Sequence, residues 1–425
     1  MLNLSTKEKI INNTFDEMIA RWTANGFYHK GLVENEWMTN LEKLRKIEIF
    51  LNNIECLKTD LFVAGPTYVR NVEGVYLDNP AHVKTLFYPT QYAKDSFLLE
   101  YFFGNLSYLN GFEIYSVREL STRIFLFLDE SDSNFKQIIK INNAYELVEF
   151  SQKNTDFKMK LMKKVFQESG ELLPYEISEL DTDVIRYLNK KVSTYKERLA
   201  AIRSKKNLES SFLKKRKEFH QYFDELVNKY KKLFVFSLNF YLSGNSGKFN
   251  SAEIRKDFFN SFRSNPNLKS IVGYMGTWEF DYKNDFYFRV IFFAEYNVSE
   301  EQLSLVNTMT YCWEVFNCIG RTQKYARLKF SAELSNISES KARLKMPMCV
   351  IGKNSHKLIA DFSDSVINYM TLLEKYFFPA ELQIFIFDHM AEEKKKKNAE
   401  DKYLVENLQY SFSRSFRGHL KIPKN

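Results

Sequence analysis

Glycine and proline are scarce throughout this chain, and their scarcity restricts the folds that it can adopt. The 425 residues include 14 Gly and 8 Pro, about 5% of the chain, whereas an average protein contains ~12%. Because these two residues form most tight turns, a chain poor in them does not suit a sandwich of many short strands. Long helices and plain strands are predicted instead.

Composition and length place the chain among globular proteins. Apolar residues make up 44% and charged residues 27%; both values are close to the globular average, which excludes a disordered or membrane-embedded chain. The length favours two or three domains. The N-terminus has no apolar signal segment, and no uncharged apolar run approaches ~18 residues. We therefore predict a cytoplasmic protein that does not contact membranes.

Sequence motifs argue against several common classes of enzyme. The chain has no GxxxxGK[ST], GxGxxG or GxSxG motif, which disfavours phosphate-loop NTPases, Rossmann oxidoreductases and α/β-hydrolases. The 6 His are scattered without the pairing of a local zinc site, and the 4 Cys lack the spacing of metal ligands or a disulfide framework. No cofactor is predicted.

Residues 1–180 are predicted to form a mostly helical region with a few short strands. Apolar residues recur at helical spacing over 5–22 and again over 39–57. Between 60 and 130 the apolar pattern shortens and becomes mixed: it predicts strands over 60–65, 74–79 and 122–130 and a helix over 92–103. Residues 142–168 return to a helical pattern. This region contains no motif that indicates a function.

The basic charge of the chain is concentrated in one segment. Residues 186–232 contain fifteen Lys or Arg and five Asp or Glu, a local charge of +10, whereas the whole chain carries +8. We predict that residues 181–232 form a long basic helical connector, either one helix or a hairpin broken near 205–207. Since each neutralised phosphate releases a counterion, such a segment favours contact with nucleic acid. An ordinary solvated helix face is the alternative.

Residues 233–425 are predicted to form an α+β domain in which helices flank an antiparallel sheet. At Leu233 the apolar period changes from about 3.6 to 2, which indicates a strand. The predicted order is strand, helix, strand, strand, helix, strand, strand, helix. The corresponding ranges are 233–242, 251–264, 270–281, 285–296, 299–316, 325–330, 346–352 and 363–377.

The segment from Phe258 to Phe293 resembles a known family. A helix leads to a strand that contains Gly273 and ends in Trp278-Glu279-Phe280, a short turn follows at 282–284, and the next strand ends in the apolar run 290–293. This order is similar to that of the YagK/YfjJ C-terminal-domain and inovirus replication-protein family.

Two further stretches extend the resemblance to about residues 230–420. Asn368-Tyr369-Met370-Thr371 resembles the Tyr-Leu-Thr-Lys box of the family, although the lysine is absent, and residues 414–419 resemble its basic tail. The resemblance implies a Rep-like fold related to HUH endonucleases, which hold a divalent metal with a His-x-His pair and nick DNA with a tyrosine.

The metal pair of the family is replaced in this chain. Phe286 and Phe288 occupy the two histidine positions, and phenylalanine cannot bind a metal. Glu279 alone keeps the chemistry of a metal ligand, and Tyr369 matches the nucleophile. The resemblance therefore implies a degenerate nicking site, so we do not predict an enzyme.

The residues predicted to contact nucleic acid are basic side chains of the connector and tail, together with the two replaced strand positions. They are Lys205, Lys206, Lys214, Lys215, Arg216, Lys217, Phe286, Phe288, Arg414 and Arg417. Phe286 and Phe288 would stack on bases. Alternatively they fill the face that a metal site once occupied, and this alternative is favoured.

Three functions stay open on the sequence alone. The first is a DNA-binding, replication-initiator-like protein of a prophage, plasmid or integrated element, with single-stranded or hairpin DNA as its ligand. The second is an active rolling-circle-type initiator that uses Tyr369 and a divalent metal. The third is a non-enzymatic module that binds another protein. Salt dependence distinguishes the first from the third.

Overall fold

A computed structural model of the chain describes residues 4–24, 34–64, 87–89, 186, 189–190, 192–201, 208–244, 251–262, 265–280, 286–296, 301–316, 325, 328–376 and 415–418. The chain divides into two compact units, residues 1–8 with 39–206 and residues 9–38 with 207–425. Within the described ranges, no helix has both the length and the apolar character needed to cross a membrane.

The first unit contains most of helix α2 (Glu34–Cys56), an antiparallel pair of strands, β1 (Phe62–Ala64) and β2 (Phe87–Pro89), and the helical residues 192–201. The predicted helix over 39–57 and the strand over 60–65 are confirmed. The apolar stripe of α2 is buried at Leu41, Leu44, Ile47, Leu51 and Ile54. The other predicted elements, over 74–79, 92–103, 122–130 and 142–168, lie outside the described residues.

The second unit contains helix α1 and a sheet flanked by helices. Its helices are α1 (Leu4–Ala24, of which residues 9–24 belong here), α3 (Leu208–Tyr230), α4 (Ser251–Phe262), α5 (Glu301–Glu314), α6 (His356–Asp361) and α7 (Asn368–Tyr376). Its strands are β3 (Lys232–Gly244), β4 (Ile271–Phe280), β5 (Phe286–Glu295), β6 (Leu328–Leu334), β7 (Met348–Gly352) and β8 (Ser415–Gly418). Short 3-10 turns lie at Pro266–Leu268 and Ala342–Leu344.

The sheet has the strand order β6-β3-β5-β4-β8, and all of its pairings are antiparallel. Strand β7 also pairs with β3, at the opposite end from β6, so that β6 and β7 follow one another along the same edge of β3. The α+β class and the order of elements from β3 to α7 are confirmed. Strand β8 is new, because the sequence pattern at 414–419 indicates only a basic tail.

The connection between β6 and β7 starts and ends at one residue of β3. The Ser335 N–H donates to the Ser237 carbonyl over 3.1 Å, and the Ser237 N–H donates to the Pro347 carbonyl over 3.0 Å. Residues 336–346 therefore leave the sheet edge and return to it at the same place. We name residues 336–341 the nest loop.

One face of the sheet is aromatic. Phe240 in β3, Trp278 in β4 and Phe288 in β5 alternate onto this face and are buried. Helices α4 and α5 cover it: Phe258 of α4 lies 5.4 Å from Phe240, and Trp313 of α5 lies 5.0 Å from Phe288, measured between ring centroids. The period-2 pattern of the strands thus buries a continuous aromatic layer.

The other face, which we name the polar face, carries Asn239, Thr277, Glu279, Tyr287 and Arg289. Cross-strand register places these residues side by side. Farther along the same face the side chains are apolar and pack beneath α3, where the rings of Phe223 and Phe293 lie 5.8 Å apart. Both faces of the sheet are therefore covered by helices.

The helix predicted over 363–377 is confirmed but begins earlier and changes its winding. It starts as α6, widens into a π-helical segment at Phe362–Ile367, and continues as α7. Such π segments are rare and are frequent at functional sites. This one directly precedes Asn368 and Tyr369.

The two units differ from the three predicted segments. Residues 9–24 of α1 belong to the sheet-containing unit, although the sequence places them in the N-terminal region. The boundary falls between 206 and 207, so that α3 belongs with the sheet instead of forming part of a connector. The break predicted near 205–207 itself lies outside the described residues.

Gly273 leaves room for a tyrosine that joins α3 to two strands. The Tyr222 hydroxyl donates to the Gly418 carbonyl over 2.7 Å and accepts from the Tyr274 N–H over 3.0 Å. A Cβ atom at position 273 would lie 2.2 Å from that hydroxyl oxygen. We predict that Gly273→Ala lowers the free energy of unfolding by about 1–3 kcal/mol, as overpacking does, in chemical denaturation experiments.

Gly352→Ala is the matched control for this prediction, because a Cβ atom there would meet its nearest neighbour at 3.4 Å. Equal stability of the two variants would show that Tyr222 moves aside freely.

Candidate functional site

The two residues that match a tyrosine nucleophile and a metal ligand in the sequence meet in the interior. The Tyr369 hydroxyl of α7 donates to Glu279 Oε2 of β4 over 2.7 Å. Both side chains have 0% exposure. The π-helical segment Phe362–Ile367 lies in the same continuous helix, and one residue separates its end from Tyr369. A buried tyrosine held in this way has no access to a DNA strand in this conformation.

Helix α1 adds an ion pair to this region. The Arg21 guanidinium lies 5.5 Å from the centre of the Tyr369 ring and donates from Nη2 to Glu17 Oε1 over 2.5 Å. Glu17 and Arg21 have exposures of 0% and 3%. They are four residues apart, so one face of the helix presents both to the interior.

The nest loop surrounds the Glu17 carboxylate with donors. The hydroxyls of Ser338 and Ser340 donate to Oε2 over 2.6 and 2.7 Å. The Ser340 N–H also donates to Oε2, over 3.1 Å, and the Glu339 N–H donates to Oε1 over 3.0 Å. Together with Arg21, these groups satisfy both oxygens of a carboxylate that water does not reach.

Arg289 of β5 joins the sheet to the same loop. Its Nη2 donates to the Asn336 carbonyl over 3.0 Å and also to the Ile337 carbonyl. Arg21 Nη2 donates to the Ile337 carbonyl as well, over 3.4 Å. The two guanidinium groups thus share one acceptor, and the formal charges of Glu17, Arg21, Glu279 and Arg289 sum to zero.

Electrostatics favour the ionised form of Glu17. Burial raises the pKa of this carboxyl, but the charge of Arg21, the hydrogen bonds from Ser338 and Ser340 and the charge of Arg289 outweigh burial and lower the pKa to about 2. Burial and the neighbouring Arg21 lower the pKa of Arg289 to about 10. Arg289 therefore stays charged at neutral pH.

Glu279 is separated from the two positions that hold the metal in the family. In the sheet register Glu279 lies opposite Tyr287, whereas Phe288 lies opposite Trp278. Since side chains alternate between faces, Glu279 projects from the polar face and Phe288 from the aromatic face. Glu279 and Phe288 therefore do not share a face of the sheet. The described part of the chain holds no cluster of three His, Cys, Asp or Glu that would bind a metal ion.

Phe288 fills the core instead of forming a surface. It has 0% exposure, and its ring lies 5.1 Å from Phe240 and 5.2 Å from Trp278. This packing agrees with the filling alternative and leaves no ring face open for a base. Phe286 begins β5, and its side chain lies outside the described structure.

The predicted basic residues of α3 divide into two groups. Lys214 and Lys217 are exposed. Arg216 turns inward, where its Nε donates to Asn368 Oδ1 over 2.7 Å, and burial lowers its pKa. Lys215 is half-buried and has a partner within the protein. Only the exposed pair therefore offers its charge to a ligand.

Arg417 of β8 lies beside α3. Its guanidinium is 5.9 Å from the centre of the Phe219 ring and 5.4 Å from that of Tyr222, and its Nη2 is 3.6 Å from Glu218 Oε2. This brings a residue of the predicted basic tail to the predicted basic helix. Lys205, Lys206 and Arg414 lie outside the described residues.

Sequence reasoning missed Glu17, Arg21 and Arg289. Each left a signal: Arg289 is the one charge within the apolar run of β5, and Glu17 and Arg21 continue a helical stripe that begins with the buried Ile10. A charge at a position that the pattern assigns to the interior indicates a buried partner.

Comparisons of the chain with protein-family models, with curated proteins and with solved structures found no match.

We predict that Tyr369→Phe lowers the free energy of unfolding by about 1–3 kcal/mol, because Glu279 loses a buried hydrogen bond to its carboxylate. Urea denaturation measures this loss. Tyr311→Phe is the control, since Tyr311 is 63% exposed and its hydroxyl reaches water. Equal effects of the two substitutions would contradict the structural role of the Tyr369 hydroxyl.

We also predict that Glu17 contributes to acid unfolding. Because its folded pKa of about 2 lies below the ordinary 4.5, its stabilisation is present above about pH 4.5 and is lost as the pH falls towards 2. The full contribution is roughly 3 kcal/mol. In Glu17→Gln the slope of unfolding free energy against pH between 4.5 and 2 should be shallower, because unfolding of this variant takes up nearly one proton fewer.

The exposed Glu314 provides the control for this titration. Glu314→Gln should retain the slope of the natural chain. A Glu17→Gln variant with the same slope as Glu314→Gln would show that Glu17 does not govern acid unfolding.

Proposed function

We propose that this protein is a DNA-binding, replication-initiator-like protein of a mobile element that binds single-stranded or hairpin DNA without nicking it. The observation that supports the proposal best is the exposed pair Lys214 and Lys217 on α3. These residues belong to the segment that carries a local charge of +10. Arg417, on the edge strand beside α3, lies next to this surface, where Glu218 offsets its charge.

The exposed side chains of α3 carry charges of both signs. Lys214 and Lys217 lie in its N-terminal half, Asp224 and Glu225 follow, and Lys229 lies in its last turn. The two carboxylates would repel a nucleic acid between the two groups of lysines. The N-terminal half, which exposes two lysines on neighbouring turns, is therefore the part of α3 that supports a phosphate-binding role.

The interior supports the absence of nicking. Tyr369 is buried and hydrogen bonded, Phe288 fills the aromatic face, and Glu279 lies on the opposite face of the sheet. Nicking would need a tyrosine and a metal site that reach a phosphate together. In this arrangement neither group reaches one.

We predict that Lys214→Ala/Lys217→Ala weakens binding of labelled single-stranded DNA in fluorescence anisotropy. If both lysines neutralise phosphates, the slope of log K against log salt should fall by about 1.4, or ~0.7 for each lost contact. Lys256→Ala/Lys269→Ala is the matched control, since these lysines are also exposed but lie away from α3, in α4 and directly after the turn Pro266–Leu268. An equal slope in both double variants would refute phosphate binding by the α3 surface.

The same DNA, incubated with and without manganese and run on denaturing gels, tests the absence of nicking. The natural chain should form no covalent adduct. An adduct that disappears in Tyr369→Phe would establish the active-initiator alternative.

A protein-binding module is the second candidate function, and exposed apolar side chains favour it. Leu303 and Tyr311 on α5 are 59% and 63% exposed, and both lie on the outer side of that helix. If the chain does not bind the labelled DNA even at low salt, the protein-binding module replaces DNA binding as the favoured function.

A further inference from the structure

The nest loop has the chemistry of an oxyanion-binding site. Hydroxyls from Ser338 and Ser340 and backbone N–H groups from Glu339 and Ser340 all reach the Glu17 carboxylate, within 2.6–3.1 Å. Backbone and hydroxyl donors that point to one place form a concavity for anions. Such donors bind negatively charged oxygen atoms, whichever molecule carries those atoms.

Arg289 provides a second and independent indication of a ligand. Its side chain is fully buried, and Nη2 is held by the carbonyls of Asn336 and Ile337 in the nest loop. Within the described structure, its Nε and Nη1 have no hydrogen-bond acceptor. Burying a donor without an acceptor is unfavourable, and this guanidinium can serve more acceptor atoms than the described part of the chain supplies.

Charge defines the anion that the site would take. Without Glu17, the buried side chains of Arg21, Arg289 and Glu279 carry a formal charge of +1. One singly charged anion therefore restores neutrality, whereas a dianion would leave an excess negative charge in a buried region.

We propose that the nest loop and Arg289 form an oxyanion-binding site for a phosphodiester, and that Glu17 occupies this site as a tethered substitute for the ligand. A phosphodiester carries one negative charge on two terminal oxygens, as a carboxylate does. Its two bridging oxygens are further acceptors for the spare donors of Arg289. The inference does not rest on DNA binding through α3, because charge and donors alone define this site.

Chemical rescue of an emptied site tests the proposal. Glu17→Ala removes the internal anion from the full-length chain and should lower the Tm. Dimethyl phosphate should then raise the Tm with saturation, by about 3–6 °C at ten times its Kd. Met18→Ala is the matched control, since it removes a neighbouring buried side chain of α1 that carries no charge; its Tm should not respond.

Sodium chloride and sodium acetate at the same ionic strength complete the comparison. Chloride should not raise the Tm of Glu17→Ala, and acetate should raise it less than dimethyl phosphate because acetate lacks the bridging oxygens. Absence of rescue, or equal rescue of Met18→Ala, would overturn the site. Acetate as effective as dimethyl phosphate would overturn its assignment to phosphodiesters.

Glu17→Ala can also be tested if it does not fold in cells. The denatured variant is refolded in dimethyl phosphate and in chloride, and the yield of monodisperse protein is compared. A several-fold higher yield in dimethyl phosphate is expected for Glu17→Ala but not for Met18→Ala. Equal yields in the two salts would overturn the proposal.

Discussion

Desolvated charge is the constraint on which the second unit depends. Glu17, Arg21, Glu279 and Arg289 lie where water does not reach, and removing a charge from water costs several kcal/mol even after the protein relaxes. Opposite charges and hydrogen bonds reduce this cost only while the partners stay in place. Helix α1, the central strands, α7 and the nest loop must therefore assemble together, because each contributes a group that the others neutralise.

This dependence explains why α1 belongs with a sheet that begins more than two hundred residues later in the chain. Its apolar side chains could pack against many surfaces. Its Glu17 requires the hydroxyls and N–H groups of Ser338, Glu339 and Ser340. Hydrophobic contact is not directional, whereas the hydrogen bonds to Glu17 specify one place and one rotation of the helix.

The local structure of the second unit could be predicted from the sequence, and the buried site could not. The change of period at Leu233 predicts β3, and alternating aromatic residues predict β4 and β5, because each pattern reflects one element meeting one core. Glu17 and Ser338 are 321 positions apart, so no local pattern reveals that they meet. The face of the sheet on which Glu279 lies could not be predicted for a related reason: the motif resemblance gives order along the chain, whereas the face depends on register with β5.

The basic residues that reach the surface of α3 also could not be predicted from local sequence alone. Lys214, Lys215, Arg216 and Lys217 form one run in the sequence, but a helix turns about 100° for each residue. Only Lys214 and Lys217 end at the surface, while Arg216 reaches Asn368. Strand β8 could not be predicted because a segment of four residues becomes a strand only when β4 offers it an edge.

The return of the chain to Ser237 has a consequence for how such a loop can change. The entropic cost of closing a loop rises slowly with its length, by about 0.6 kcal/mol for each doubling. Because Ser335 and Pro347 are both fixed to one residue of β3, the span to be closed stays the same whatever the connection contains. An insertion between the nest loop and β7 would therefore not widen the gap that the chain closes at the sheet edge. It would, however, have to preserve the hydrogen bonds from the Ile337 and Ser338 N–H groups to the Met346 and Leu344 carbonyls.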